Sequence, residues 1–289
     1  MNIKKSLFLI LFFSTILFAK SENIPAIVSL EWLKNNYENP NLVIIDLREE
    51  KDYLNGHLKN AVNIPGLKNL FDDKFFMPKL EKLKELFSLS GIDNDSLVVS
   101  YDNGEFIWAA RFYWILETLG HKNVGLLKVA YGKELEENFP IEKEKFTPIR
   151  KEFIPRVDIS KVQTKLSTLM SIGKKTIIDG RKNSHYEGNE SFAKRFGHIP
   201  TAKNYACTQN FQVSSDGNKM KDFDELKEIY KDLDKDKEII LYCDGGAEAA
   251  LNFIVLQELG YKASVYDGCW LECGNDSAVP VENPSNMDE

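Results

Sequence analysis

Four short motifs occur twice in this 289-residue chain, in the same order and well over a hundred positions apart. Ile44-Ile-Asp-Leu-Arg48 returns as Ile177-Ile-Asp-Gly-Arg181, an offset of 133. Gly56-His57-Leu58 returns as Gly197-His198-Ile199, and Val99-Ser-Tyr101-Asp102 as Ile240-Leu-Tyr242-Cys243, both offset by 141. Leu119-Gly120-His121-Lys122 returns as Leu259-Gly260-Tyr261-Lys262, offset by 140. Self-similarity at so long a spacing means a duplicated domain. The step from 133 to 141 puts an eight-residue insertion between Arg181 and His198 of the second copy.

Within each copy, short apolar runs alternate with helix-length segments, the pattern of a mostly parallel sheet covered by helices. Strands are expected at Leu42 to Asp46, Leu97 to Tyr101 and Val124 to Leu127, then at Thr176 to Asp179, Glu238 to Tyr242 and Ala263 to Tyr266. Helices are expected after Ser29 as N-cap of Leu30-Glu-Trp-Leu-Lys34, over Ala109 to Leu119, and over Ala247 to Leu259. This divides the chain into domains at 24–141 and 156–275, a charged linker at 142–155, and a tail at 276–289 that frays or drapes over the surface.

The first nineteen residues read differently. A basic head with Lys4 and Lys5 precedes an apolar run from Ser6 to Phe18 and a small residue, Ala19, the pattern of a cleaved secretory signal peptide. The run is short for a ~30 Å hydrocarbon core, so no stable membrane insertion is expected after its removal. Losing Lys4 and Lys5 makes the remainder more acidic than the whole chain at −7, which argues against a nucleic-acid surface. The expected location is the periplasm or the exterior, an oxidising compartment in which an unprotected thiol needs a use or a shield. Four Cys in 289 residues cannot make a disulfide scaffold, so burial must hold the fold.

One of those thiols stands where chemistry is found. Glu238-Ile-Ile-Leu-Tyr242 runs into Cys243-Asp244-Gly245-Gly246-Ala247-Glu248, and then into a helix beginning Ala249-Ala-Leu. Ligands of open parallel sheets bind beyond the carboxyl ends of the strands. Gly245 and Gly246 let the backbone amides curl inward, and the next helix adds its free N–H groups and positive dipole end. A nest of this kind, from Asp244 to Ala249, stabilises an anionic sulfur, the reactive form of cysteine.

These motifs together resemble the tandem-domain rhodanese family of sulfurtransferases over essentially the whole chain after the signal. Asp46-Leu-Arg48 with Gly56-His57, and Asp179-Gly-Arg181 with Gly197-His198-Ile-Pro-Thr-Ala202, are similar to the family's Asp-x-Arg and Gly-His-Ile-x-Gly-Ala elements. Asp102 occupies the cysteine position of a catalytically silent first domain, and Tyr266-Asp-Gly-Cys-Trp270 is similar to the Tyr-Asp-Gly-Ser-Trp element. The resemblance implies two α/β domains, each a five-stranded, mostly parallel sheet flanked by helices. It also implies transfer of sulfane sulfur through a persulfide on Cys243, from a small donor anion such as thiosulfate, polysulfide or mercaptopyruvate to cyanide or a thiol acceptor, a periplasmic thiol protein among them. Such nucleophilic catalysis needs neither metal nor organic cofactor. The loop has the length found in sulfur-transferring members, one residue shorter than in the related phosphatases.

Several residues depart from that pattern. Asp244 and Glu248 stand where users of thiosulfate carry basic or hydroxyl groups, and both should raise the thiol pKa and repel a dianion. His185 replaces an Arg, so His185, Lys182 and Arg195 are the expected compensating cations and Trp270 a further substrate contact. Asp179, Arg181 and His198 are expected to brace the site rather than react. Cys207 reads as a packed thiol, and Trp32, Trp108 and Trp114 as core. Cys269 and Cys273 are candidate resolving thiols, which leaves two alternatives to an enzyme: a non-catalytic sulfane-sulfur carrier, and a thiol redox relay.

Overall fold

The repeated apolar runs become the centres of two sheets of the same topology. In the computed structural model, which describes residues 24–285, the first sheet contains β1 (Ile27–Val28), β2 (Leu42–Asp46), β3 (Val62–Asn63), β4 (Leu97–Tyr101) and β5 (Val124–Leu127). Their order is β1-β5-β4-β2-β3, and every pairing is parallel. The second contains β6 (Val162–Gln163), β7 (Thr176–Asp179), β8 (Lys203–Asn204), β9 (Ile239–Tyr242) and β10 (Ala263–Tyr266), in the order β6-β10-β9-β7-β8, again all parallel. Each therefore repeats the other strand for strand. The central strands are covered on both faces, which is why Leu97–Tyr101 and Ile239–Tyr242 are almost continuously apolar rather than alternating. The four outer strands are two residues long and carry no periodic signal; none was expected from the sequence.

Three helices matter for the site: α1 (Ile107–Thr118), α2 (Ala247–Glu258) and α3 (Cys269–Cys273). Most residues of α1 and α2 are buried, and a helix apolar on all sides must be enclosed. The two pack against each other across the domain boundary, so a single hydrophobic core runs from the first domain into the second. The connecting segment is anchored by Phe153, fully buried against Phe87. Residues 276–285 lie along the second domain, with Val279 buried and the backbones of Glu282 and His198 exchanging hydrogen bonds. The expected signal peptide falls outside the described residues. Among the described residues, no helix is long and apolar enough to cross a membrane, and no cluster of three or more His, Cys, Asp or Glu is placed to hold a metal ion.

Candidate active site

Cys243 follows the last residue of β9, at the carboxyl edge of the second sheet. The chain turns at Gly246, whose φ of +95° lies in the left-handed region and whose amide begins α2. Only glycine fits, because a Cβ here would stand 2.6 Å from Arg111 Nη1. The Gly246 N–H donates to Cys243 Sγ at 2.9 Å, and the Ala249 amide also points at the sulfur. The loop is tied down from α3: Trp270 N–H donates to the Cys243 carbonyl at 2.8 Å and Leu271 N–H to that of Asp244 at 3.1 Å.

The first domain supplies an internal reference for what such a loop binds. Asp102 occupies the Cys243 position, and its carboxylate accepts from the amides of Gly104 (2.8 Å), Phe106 (3.0 Å), Trp108 (3.2 Å) and Ala109 (3.2 Å). Phe106, like Gly246, holds a left-handed φ at the start of the following helix. The first copy has thus placed a carboxyl group in the curl where the second copy has a sulfur. Burial still raises the Asp102 pKa, because a compact carboxylate loses much hydration and the four amides do not fully replace it.

For the thiol the balance falls the other way. Burial pushes the Cys243 pKa up, but the adjoining Cys269 thiol and hydrogen bonds from the Ala249 and Gly246 amides outweigh it even against the charge of Asp244, and the pKa is lowered. The two loop carboxyls are the converse. Burial, with the nearby sulfur adding to it, holds Glu248 well above the usual carboxylate range. Burial also raises Asp244, opposed by Arg181 and His185. Arg181 Nη1 lies 3.7 Å from Asp244 Oδ1, and His185 Nδ1 lies 3.1 Å from Oδ2 as an ion-pair contact out of line for a hydrogen bond. The acidic loop therefore repels the thiolate less than its sequence implies.

Cys243 is only 1% exposed, yet it forms part of the floor of a cleft of about 480 Å³. The second domain contributes Asp244, Gly245, Ala247, Glu248, Leu271 and Phe192. The opposite wall comes from the first domain, with Leu67, Phe71, Phe75, Ile107 and Trp108. Among the described residues, no Lys or Arg lines it. Phe75 adopts a φ of +63° and lies against Gly245, so the backbone accepts strain to aim a ring over the loop.

The model of the rhodanese-like domain matches residues 29–133 and 162–275, one match per sheet. The chain belongs to the rhodanese family. It is 31% identical to a thiosulfate sulfurtransferase of Corynebacterium glutamicum, over 90% of this chain and 91% of that one. It is 31% identical to the sulfur carrier protein TtuD of Thermus thermophilus, over 88% of this chain and 95% of that one. The crystal structure of the 3-mercaptopyruvate sulfurtransferase SseA from Escherichia coli superposes with a TM-score of 0.74 at 25% identity, covering 85% of this chain and 99% of that one. The chain is accordingly a sulfurtransferase of rhodanese type, built as two tandem rhodanese domains.

Within this rhodanese frame the residues expected near the sulfur separate into two groups. Arg181 is fully buried and holds Asp179 through Nη2 at 2.6 Å and the Gly197 carbonyl at 2.8 Å, while Tyr242 Oη donates to Asp179 at 2.7 Å. Asp46, Arg48 and Gly56 repeat this brace in the silent domain. His198 Nδ1 donates to the Tyr186 carbonyl at 2.7 Å with its ring stacked on Tyr186, as His57 is on Tyr53. These groups shape the loop from beneath.

Four expected substrate contacts sit elsewhere. Arg195 is committed to the carbonyls of Val279, Cys273 and Asp276, so it pins the tail. Lys182 is half exposed and pairs with Glu190. Trp270 is fully buried, its ring under the Arg181 guanidinium and its Nε1 donating to Ser191 Oγ at 3.1 Å. His185 is buried between Asp244 and Glu190 and meets the cleft through Asp244 and through Phe192, whose ring stands 4.9 Å away edge-on. Conversely, Trp108 is a cleft wall rather than core. The insertion predicted from the offset step supplies Phe192 to the mouth and Ser191 to brace Trp270.

Proposed function

We propose that this sulfurtransferase works in two half-reactions through a persulfide on Cys243. The thiolate attacks the outer sulfur of a donor, whose remaining part leaves with the bonding electron pair; with thiosulfate the leaving group is sulfite. An acceptor such as cyanide or a thiol then takes the outer sulfur, and Cys243 returns as thiolate. The observation that carries this reading is the position of Cys243 Sγ, held by amide donors on the floor of an open cleft. The transferred sulfur carries the negative charge once loaded, and the same amides and the α2 dipole stabilise it.

The cleft wall bears on the donor. With aromatic and aliphatic side chains on both sides and the carboxyls of Asp244 and Glu248 in its lining, it favours low-charge donors, namely an organic or protein persulfide, over dianionic thiosulfate. The kcat/KM for an organic persulfide should exceed that for thiosulfate at least about tenfold with a common dithiol acceptor. Steady-state comparison of the donors decides it, and a preference for thiosulfate sinks this part of the reading.

A second reading is favoured by one observation. The rim carries Phe192, Leu67 and Phe75 at 75%, 51% and 45% exposure, an apolar collar suited to docking another protein, and one relative is named a sulfur carrier. In that reading Cys243 is loaded once and discharged to a partner without steady turnover. We also propose export to the periplasm or exterior, supported by the pattern of residues 1–19. N-terminal sequencing of the protein from its producing cells should begin after Ala19; an intact Met1 would refute it.

A further inference from the structure

The four cysteines are all free and buried, and all belong to the second domain. They are not equivalent. Cys269 Sγ accepts the backbone N–H of Cys243 at 3.3 Å and donates its own proton to the Tyr266 carbonyl at 2.9 Å, which seats it beside the Cys243 residue. It is the first residue of α3 and has a φ of +51°, a left-handed conformation that a non-glycine residue keeps only when its surroundings impose it. That conformation puts its sulfur beneath the nest. Cys273, one turn further, sits instead against Tyr266 Oη at 3.2 Å, and Cys207 is fixed by its own backbone to the Gly180 carbonyl.

At rest the pair does nothing, because two thiols at the same oxidation level have no bond to exchange, and the Cys269 proton is held by the Tyr266 carbonyl. Loading with sulfane sulfur changes this. The negative charge moves to the outer atom, and Cys243 Sγ becomes one half of a sulfur–sulfur bond that a neighbouring thiol can attack. Resting on the persulfide reading above, we propose that Cys269 is an internal resolving thiol that discharges the loaded enzyme as hydrogen sulfide when no acceptor is present. The bond between Cys243 Sγ and the outer sulfur breaks as the Cys243–Cys269 disulfide forms. The outer sulfur leaves with the bonding pair and takes the Cys269 proton, so that persulfide plus thiol gives disulfide plus hydrogen sulfide. The sulfane sulfur is reduced, the two cysteine sulfurs are oxidised, and no outside oxidant is required. A dithiol reductant then reopens the disulfide, which makes sulfide release a second activity coupled to the thiol pool.

The test uses the full chain, loaded anaerobically with inorganic polysulfide and desalted. Wild type should release stoichiometric sulfide without acceptor, pass from a mass one sulfur heavier to a mass two hydrogens lighter than the reduced chain, and yield a Cys243–Cys269 peptide on non-reducing mapping. Cys269→Ser should load more slowly, since Cys269 helps to lower the Cys243 pKa, but should keep whatever sulfur it has taken up until cyanide is added, release being scored per loaded chain, while Cys273→Ser behaves as wild type; Cys269→Ala serves if the serine variant does not fold. Wild type that keeps its added sulfur as long as Cys269→Ser, with Cys269 free on mapping, overturns the proposal. If cyanide still removes that sulfur, the persulfide reading stands alone; if neither protein takes up sulfur, both readings fall.

Discussion

Replacing Cys243 by serine is expected to lower the rate of sulfur transfer by about four orders of magnitude or more, because the covalent intermediate is lost rather than weakened. The nest that suits a diffuse thiolate cannot ionise a hydroxyl, whose proton is held far more tightly, and oxygen does not carry sulfane sulfur under these conditions. The fold should be untouched. Cys243 is tied to α3 through its carbonyl and to Cys269 through its amide, and both contacts belong to the backbone of residue 243. Steady-state transfer from donor to cyanide, with thermal unfolding as control, checks this. Residual turnover within tenfold of wild type would mean that sulfur passes through another group.

The second large effect concerns the boundary between the domains. Arg111 is fully buried in α1, yet its Nη1 donates at 2.6 Å to Asp267 of the other domain, whose second oxygen accepts the Met77 amide at 2.7 Å. The guanidinium lies over Phe71 and Trp114, and its remaining nitrogens have no hydrogen-bond partner among the described residues. Such a pair contributes little compared with well-packed apolar residues, but removing one member leaves a buried charge alone. Arg111→Leu should therefore cost about 3–5 kcal/mol, roughly a 10 °C fall in Tm for a chain of this size. It should also slow transfer, since Arg111 packs against Gly246 of the sulfur-binding turn. The double variant Arg111→Leu/Asp267→Asn should recover part of the loss. A calorimetric scan in which the single variant melts with wild type would show that the pair does not couple the domains.

That interface explains why the site was only half legible in the sequence. Repeat motifs are local, so the six central strands, the two packed helices and the Cys243 turn with its curled amides could all be read from short windows. The edge strands could not, because two residues such as Lys203–Asn204 leave no period to detect. Nor could the cleft wall. Leu67, Phe75 and Trp108 have ordinary apolar surroundings in sequence, and only the α1–α2 packing turns them toward Cys243. Arg195 and Lys182 erred in the opposite direction. A cation close to a motif suggests an anion site, but carbonyls of the tail and Glu190 occupy those two. Charge counted along the chain misled in the same way for Glu248, whose carboxyl burial holds well above the usual range.

The central claim is that curled amides and the adjoining Cys269 thiol favour ionisation of the Cys243 sulfur in spite of its burial. The pH dependence of iodoacetamide alkylation at Cys243, followed by peptide mass in the wild-type chain, tests it most directly. A lowered pKa means that the midpoint of the rate profile should fall below the 9.0 of an unperturbed cysteine. A midpoint at or above that pH would show that burial and Asp244 prevail, and would contradict the account.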